Sequence, residues 1–143
     1  MEANSNTGTN VKVLIIDDVS ALRSFLTRCL KHLGGYDVYH AKDGINALQQ
    51  MRKLNVDVVF LDIEMPKQNG LETLKEIQKY YPKAFVIMLS CHSSLENVQA
   101  AIKNGAQGFI VKPFNTDKIK ESLAHYQKYA RQSQKPSKPI IDK

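Results

Sequence analysis

Residues 58–66, VVFLDIEMP, begin as an apolar run and end on two acids and a proline. The apolar residues predict a buried strand. Asp62 and Glu64 follow directly, and a lone charge buried at that point would be costly in free energy. We therefore expect these acids to lie in a solvated cleft or beside a partner.

Short apolar runs alternate along the chain with segments of helical periodicity. Strands are predicted at residues 11–17, 36–41, 56–62, 84–90 and 108–112, and helices at residues 20–33, 43–54, 70–81, 94–104 and 116–130. Five strand–helix units in succession indicate parallel strands joined by right-handed crossovers. The predicted fold class is α/β, a three-layer (βα)5 doubly wound sheet with helices on both faces.

Local signals predict where several helices begin and end. Ser20 and Asp43 are predicted N-caps, Ser93 with Glu96 has the pattern of a capping box, and Gly105 is predicted to end that helix. The second helix is expected to bury one apolar face, made of Ile45, Leu48, Met51 and Leu54.

The length of 143 residues favours one domain with a hydrophobic core. We predict a disordered leader over residues 1–10, a folded domain over 11–131, and a basic, proline-containing tail or linker over 132–143. No apolar run is long enough to span a bilayer, and the N-terminus lacks the pattern of a signal peptide. The expected location is therefore cytoplasmic, without membrane insertion.

Charge and cysteine content exclude several classes of protein. The net charge of +6 is concentrated after residue 111, where 8 Lys and Arg face 3 Asp and Glu. This favours a solvated helix face and tail over contact with an acidic partner, and no recognition motif supports nucleic-acid binding. Cys29 is expected to be a buried apolar residue, and the histidines and cysteines lack the spacing of a structural metal site.

Polar residues stand at the carboxyl ends of four predicted strands. Asp17 and Asp18 follow the first strand, Asp62 the third, Ser90 the fourth and Lys112 the fifth. In a parallel sheet these ends lie at one edge, where ligands bind beside the reversal of strand order. If the first and third strands are neighbours, the three acids converge.

Such a cluster has a definite chemistry. Converging carboxylates repel one another unless a cation neutralises them, and oxygen ligands alone favour Mg²⁺. Lys112 and the Ser90 hydroxyl could bind phosphate oxygens, and an aspartate can act as a nucleophile that forms an acyl phosphate. The site thus contains the groups needed to accept a phosphoryl group on Asp62.

In these features the sequence resembles the receiver domains of two-component response regulators, in particular the CheY-like receivers of chemotaxis. The matching segments are IIDD, FLDIEMP followed by NGLE, VIMLS, and GFIVKPF, in order at receiver spacing. The resemblance covers about residues 11–130. It implies a flavodoxin-like sheet with the strand order 2-1-3-4-5.

The resemblance also implies roles for the acids. Asp62 would be the phosphoacceptor, supplied by a partner histidine kinase. Asp18, Asp62 and the backbone carbonyl of Glu64 would bind Mg²⁺, and Asp17 would assist through water.

A conformational switch is implied as well. Ser90 would be the switch hydroxyl, Phe109 the switch aromatic and Lys112 the phosphate-sensing lysine, preceding a cis bond to Pro113. Phosphorylation would draw Ser90 inward, and the fourth helix, fifth strand and fifth helix would then present a changed surface to a target protein.

The expected function is that of a stand-alone response regulator without substrate turnover, in control of motility. A phosphorelay intermediate and a receiver detached from a larger regulator, such as a chemotaxis methylesterase, stay open as alternatives. An aspartate-nucleophile phosphatase is the enzymatic alternative. Its motif needs a second Asp two residues after the nucleophile, where this chain has Glu64 after Asp62 and Val19 after Asp17.

Four positions depart from the family pattern. Cys91 replaces the usual small residue and is expected to narrow access to Asp62, while Phe109 lacks the hydroxyl of a tyrosine. Glu64 and His92 occupy the positions that tune the lifetime of the acyl phosphate in the family, so we expect a lifetime unlike that of CheY.

This expectation predicts that Glu64→Asn changes the rate of autodephosphorylation, because the side chain two residues after the phosphoacceptor controls how long the phosphoryl group survives. The measurement is the decay of phosphorylated wild-type and variant protein after the donor is removed. Equal rates would contradict it.

Overall fold

The computed structural model describes residues 10–65, 69–91 and 95–134. Within them, five strands alternate with five helices in the predicted order. The strands are β1 (Lys12–Ile16), β2 (Asp37–Ala41), β3 (Val58–Asp62), β4 (Phe85–Ser90) and β5 (Gly108–Val111). The helices are α1 (Ser20–Leu33), α2 (Gly44–Lys53), α3 (Gly70–Tyr80), α4 (Leu95–Lys103) and α5 (Thr116–Gln134).

All strands are parallel and form one sheet in the order β2-β1-β3-β4-β5. This confirms the predicted doubly wound fold with its 2-1-3-4-5 order. In the register, Ile16 of β1 lies opposite Leu61 of β3, and Asp62 lies opposite Leu89 of β4. The residues that follow these strands therefore meet at the same edge of the sheet.

The sheet separates two apolar cores, which explains why the central strands are continuously apolar. One core lies between the sheet and helices α2, α3 and α4, with Leu61 and Met88 among its residues. The other lies between the sheet and helices α1 and α5, with Phe60, Leu89 and the predicted core residue Cys29. Alternate residues of each central strand thus point to opposite layers of helices.

Two of the predicted helix starts can be compared with the structure. The carboxylate of Asp43 accepts a hydrogen bond from Asn46 N at 2.8 Å, as expected of an N-cap. The prediction for Ser20 is wrong, because Ser20 is already in α1 and Val19 occupies the N-cap without a side-chain cap. Asp17 Oδ1 accepts from Val19 N at 2.9 Å and so holds the turn that starts the helix. The Ser93 cap lies outside the described residues.

The predicted inner face of α2 is partly wrong. Ile45 is 69% exposed, whereas Met51 is buried. The buried stripe is formed by Gly44, Ala47 and Met51, since Ile45 in the first turn points away from the sheet. Helix α5 continues to Gln134, past the predicted start of the tail at residue 132.

Two glycines stand where the backbone must turn or pack closely. Gly105 has a φ of +100° just after α4, a left-handed conformation that suits glycine and ends the helix as predicted. At Gly70, the first residue of α3, an added Cβ would lie 2.1 Å from the backbone oxygen of Asp62. Gly70 N donates to the Ile63 carbonyl at 2.8 Å, so α3 begins directly against the end of β3.

Gly70→Ala is therefore expected to lower the free energy of unfolding by about 1–3 kcal/mol or more, because backbone must move to admit the methyl group. Urea denaturation would measure the loss. The matched control is Gly35→Ala, where the nearest atom to an added Cβ is 3.6 Å away. A Gly70 variant as stable as that control would contradict the close approach.

Candidate functional site

Three acids gather at the carboxyl ends of β1 and β3. Asp17 and Asp18 follow β1, Asp62 is the last residue of β3, and these strands are neighbours in the sheet. One carboxylate oxygen from each acid lies within 4.8 Å of those of the other two. The structure thus brings together the three acids that the strand-end pattern placed at one edge.

The acids differ in their exposure. Asp17 and Asp62 are buried, whereas Asp18 is exposed at the mouth of the site. Burial raises the pKa of Asp17 in spite of hydrogen bonds from Val19 and Lys112. Burial and the nearby charge of Asp17 raise the pKa of Asp62 to about 6. Asp62 is consequently ionised at neutral pH, but its charge is held at a cost in folding free energy.

Lys112, which follows β5, supplies the opposing charge. Its Nζ donates to Asp62 Oδ1 at 3.0 Å and lies 3.4 Å from Asp17 Oδ2. Burial alone would lower the pKa of Lys112, but the hydrogen bond to Asp62 and the charges of both acids raise it. The bond between Lys112 and Pro113 is cis, as the resemblance implied.

One lysine leaves three carboxylates with an excess of negative charge. Oxygen donors from Asp17, Asp18 and Asp62 form a set that suits a hard divalent cation such as Mg²⁺. Burial is the main cause of the raised pKa values of Asp17 and Asp62, and a bound cation would favour their charged forms. These residues therefore fit a magnesium site, while the Glu64 carbonyl as a further ligand stays a prediction.

The Ser90 hydroxyl lies beside this cluster in a way that the sequence did not predict. Ser90 is buried at the end of β4, and its Oγ donates to Glu64 Oε2 at 2.5 Å. The other oxygen of the same carboxylate, Glu64 Oε1, accepts from Cys91 N at 3.0 Å. The signal that could have predicted this contact is the adjacency of β3 and β4, because it places Glu64, two residues after Asp62, beside the end of β4.

The remaining predicted residues lie around the site. Phe109 is half-buried on β5, opposite Met88 of β4, and packs against the core under α4. Cys91 is exposed and lines a cavity of about 490 Å³ that also contains Lys112. His92 lies outside the described residues, and the narrowing of access by Cys91 stays a prediction.

The comparisons with known proteins agree with this geometry. A family model, the response regulator receiver domain, matches residues 13–124, and the chain belongs to this family. Its similarity to chemotaxis protein CheY of Listeria monocytogenes is 39% identity over 113 residues, covering 79% of this chain and 95% of that protein. It is also similar to the transcriptional regulatory protein ZraR of Klebsiella oxytoca, 33% identical over 129 residues. That match covers 90% of this chain but 29% of ZraR.

Solved structures of CheY-like proteins have the same fold as this chain. The chemotaxis response regulator CheY4 of Vibrio cholerae superposes with a TM-score of 0.78 at 32% identity, covering 82% of this chain and 99% of that one. A CheY-like receiver domain protein of Methanospirillum hungatei gives a TM-score of 0.81 at 26% identity, covering 87% and 99%. The chain is thus a CheY-like receiver domain of two-component response regulators. None of its described helices is long and apolar enough to cross a membrane.

Replacing Asp62 tests the charge balance of the site. Because the folded-state pKa of Asp62, about 6, exceeds its usual value of 3.8, ionisation makes the wild type less stable as the pH rises from about 4 to about 6. Asp62→Asn should therefore raise the free energy of unfolding by about 1–3 kcal/mol at pH 7.5 in chelator, with a gain that shrinks toward pH 4. Urea denaturation at both pH values measures it.

Two controls test whether the gain in stability of Asp62→Asn comes from the charge of Asp62. Asp43→Asn changes a carboxylate at the same edge of the sheet but keeps an N-cap, so its stability should stay close to that of wild type. Saturating Mg²⁺ should stabilise the wild type and reduce its difference from Asp62→Asn, since binding to the native state adds about 2.7 kcal/mol at 100-fold excess over Kd. A variant less stable than wild type at pH 7.5 in chelator would contradict the charge argument.

Proposed function

We propose that this receiver accepts a phosphoryl group on Asp62 from a partner histidine kinase and transmits the signal by a phosphorylation-dependent protein contact. The observation that carries the proposal is the buried Asp62 carboxylate, 3.0 Å from Lys112 Nζ and beside two further acids. A carboxylate with a cationic side chain and a cation site at hand is arranged for phosphoryl transfer, which depends on positioning and charge neutralisation.

The transfer itself needs little from the protein beyond orientation. Lys112 Nζ and the Glu64 backbone N–H both donate to Asp62 Oδ1, so we assign the attack to Oδ2. Oδ2 forms a bond to phosphorus, the phosphorus–nitrogen bond of the donor phosphohistidine breaks, and the imidazole nitrogen keeps the electron pair and takes a proton. Mg²⁺, when bound, supplies charge neutralisation between the carboxylates and the phosphoryl oxygens.

Lys112 has a second task in this scheme. In the unphosphorylated protein its ammonium group is shared between Asp62 and Asp17. Once Asp62 carries the phosphoryl group as an acyl phosphate, its carboxylate charge is replaced by that of the phosphoryl oxygens, and Lys112 pairs with these instead. The ammonium is suited to this exchange because it is a compact charge on a flexible stem.

A cavity beside Lys112 offers a place for the phosphodonor to dock. Its walls combine the lysine with apolar residues of α1 and of the loop after β5: Leu22, Phe25, Pro113 and Phe114. Phe25 and Phe114 lie with their ring centroids 5.9 Å apart, so the two rings pack against each other in this wall. Apolar side chains next to a phosphohistidine could pack here while the phosphoryl group points to Asp62.

The output surface is proposed to be the face formed by α4, β5 and α5. Three apolar side chains on α4 and β5 are exposed there: Leu95 by 70%, Ile102 by 63% and Val111 by 41%. Phe109 on β5 connects this face with the core beneath α4. Movement of Ser90 toward a phosphoryl group and of Phe109 after it would bias this face between two arrangements, as a shift in population.

The similarity to CheY over nearly the full length of that protein supports a role in chemotaxis and motility. The partial match to ZraR supports the alternative, a receiver that belongs to a larger regulator. In either case the chemistry is confined to the chain's own Asp62, so we propose a phosphoacceptor and not an enzyme with turnover. The similarity to CheY also leads us to propose a cytoplasmic location.

Acetyl phosphate labelling tests the phosphoacceptor. Wild type should incorporate one phosphoryl group in Mg²⁺ and none in chelator, and Asp62→Asn should lose labelling, because the attacking oxygen is absent. Intact-protein mass spectrometry measures it. Asp43→Asn, which alters a carboxylate at the same sheet edge outside the acid cluster, should be labelled like wild type. Labelling of Asp62→Asn at the wild-type level would refute the assignment.

The output surface predicts a phosphorylation-dependent partner. Beryllofluoride-treated protein should capture a target that untreated protein does not, and Ile102→Glu should lower that capture at least tenfold by placing a charge in the contact. The matched control is Ile45→Glu on α2, because Ile45 is equally exposed at 69% but lies away from this face. Equal losses for both variants would place the contact elsewhere.

A further inference from the structure

The side chain of Glu64 turns away from the acid cluster and lies against the end of β4. Both of its carboxylate oxygens are engaged: Oε2 accepts from Ser90 Oγ at 2.5 Å and Oε1 accepts from Cys91 N at 3.0 Å. Ser90 is fully buried, Glu64 is half-buried and Cys91 is exposed, so the contact lies at the boundary between the core and solvent. We refer to the Ser90 hydroxyl and the Cys91 backbone N–H as the donor pair.

The donor pair has the chemistry of an oxyanion site. A hydroxyl and a backbone N–H on consecutive residues point at one acceptor group, and hydrogen bonds from such donors to a charged oxygen are the strong ones. The pair stands at the end of β4, next to the end of β3, with Asp62 opposite Leu89 in the register. A phosphoryl group on Asp62 would reach the same donors.

Glu64 contacts both Asp62 and the donor pair. Its own N–H donates to Asp62 Oδ1 at 3.2 Å, while its side chain accepts from the donor pair. A single residue therefore contacts both the proposed phosphoacceptor and the proposed switch serine. Asp17, by contrast, bonds to Val19 N and Lys112 Nζ.

We propose that the Glu64 carboxylate is an internal competitor of the phosphoryl group. In the unphosphorylated protein it occupies the donor pair, and it must leave before Ser90 and Cys91 can bind phosphoryl oxygens. This inference rests on the proposed phosphorylation of Asp62. It makes Glu64 a positioning residue that holds the switch serine in its resting contact.

The donor pair cannot bind the Glu64 carboxylate and a phosphoryl group at the same time. The Ser90 hydroxyl has one proton to donate, and the Cys91 amide has one. A carboxylate and a phosphoryl group are both anionic, so the arrival of the second repels the first. Glu64 is then displaced toward solvent, and the free energy of its two hydrogen bonds is subtracted from the affinity of the site for an oxyanion.

Beryllofluoride affinity in Mg²⁺ is the direct test, followed by ¹⁹F NMR on the full chain. Glu64→Ala should bind roughly tenfold more tightly than wild type, because the donor pair is no longer occupied, at about 1.4 kcal/mol per factor of ten. Glu64→Asp should also bind more tightly, since it keeps the charge but is one methylene too short to reach the pair. In a Ser90→Ala background, the gain from Glu64→Ala should shrink.

A second readout needs neither metal nor phosphoryl analogue. In the free protein, the Cys91 amide proton should shift upfield in Glu64→Ala and Glu64→Asp, because its carboxylate acceptor is lost. Two-dimensional amide NMR measures this shift. An unmoved Cys91 signal would overturn the inference, whatever the affinities are.

The outcomes separate the inference from the function on which it rests. Equal beryllofluoride affinities for wild type and Glu64→Ala overturn the competition and leave the function standing. Tighter binding by Glu64→Ala with wild-type affinity for Glu64→Asp overturns it as well, since the effect would then be one of net charge. No binding by any of these proteins, together with no labelling by acetyl phosphate, overturns the proposed function and the inference with it.

Discussion

The burial of Asp17 and Asp62 side by side is the constraint on which the site depends. Two buried carboxylates share one ammonium group, and the pKa of each is raised by its burial. A neutral side chain in place of Asp62 would fold at lower cost, so the chain keeps a charge imbalance that an added cation would relieve. The site can therefore respond to what binds there, because a change of charge on Asp62 alters how the Lys112 ammonium group is shared between Asp62 and Asp17.

This arrangement follows from the parallel sheet. Adjacent parallel strands bring their carboxyl ends to one edge, so residues far apart in sequence, Asp17, Asp62 and Lys112, meet without long loops. Each is carried by a strand with helices on both sides, and the strand fixes its backbone. The fold therefore sets the position of these groups, and the chemistry depends on which residues stand there.

Much of this could be predicted from the sequence, since strand and helix periods and strand-end residues are local signals. The order of elements, the convergence of the acids and the Asp43 cap were predicted correctly. Ser20 and Ile45 were not, because a helix start and a buried stripe depend on contacts that tertiary packing decides. The Glu64–Ser90 hydrogen bond was missed for the same reason: it joins the loop after β3 to the end of β4, and no periodicity predicts where a loop side chain turns.

The close approach at Gly70 has a mechanical consequence. Helix α3 begins directly against the carbonyl of Asp62, so the central strand that carries the proposed phosphoacceptor has no room to move toward α3. Strand β5, at the sheet edge, has a neighbour on one side only. Strand β2 forms the other edge, whereas β3 is paired on both sides. A change at Asp62 is therefore expected to displace groups around β3 more readily than β3 itself.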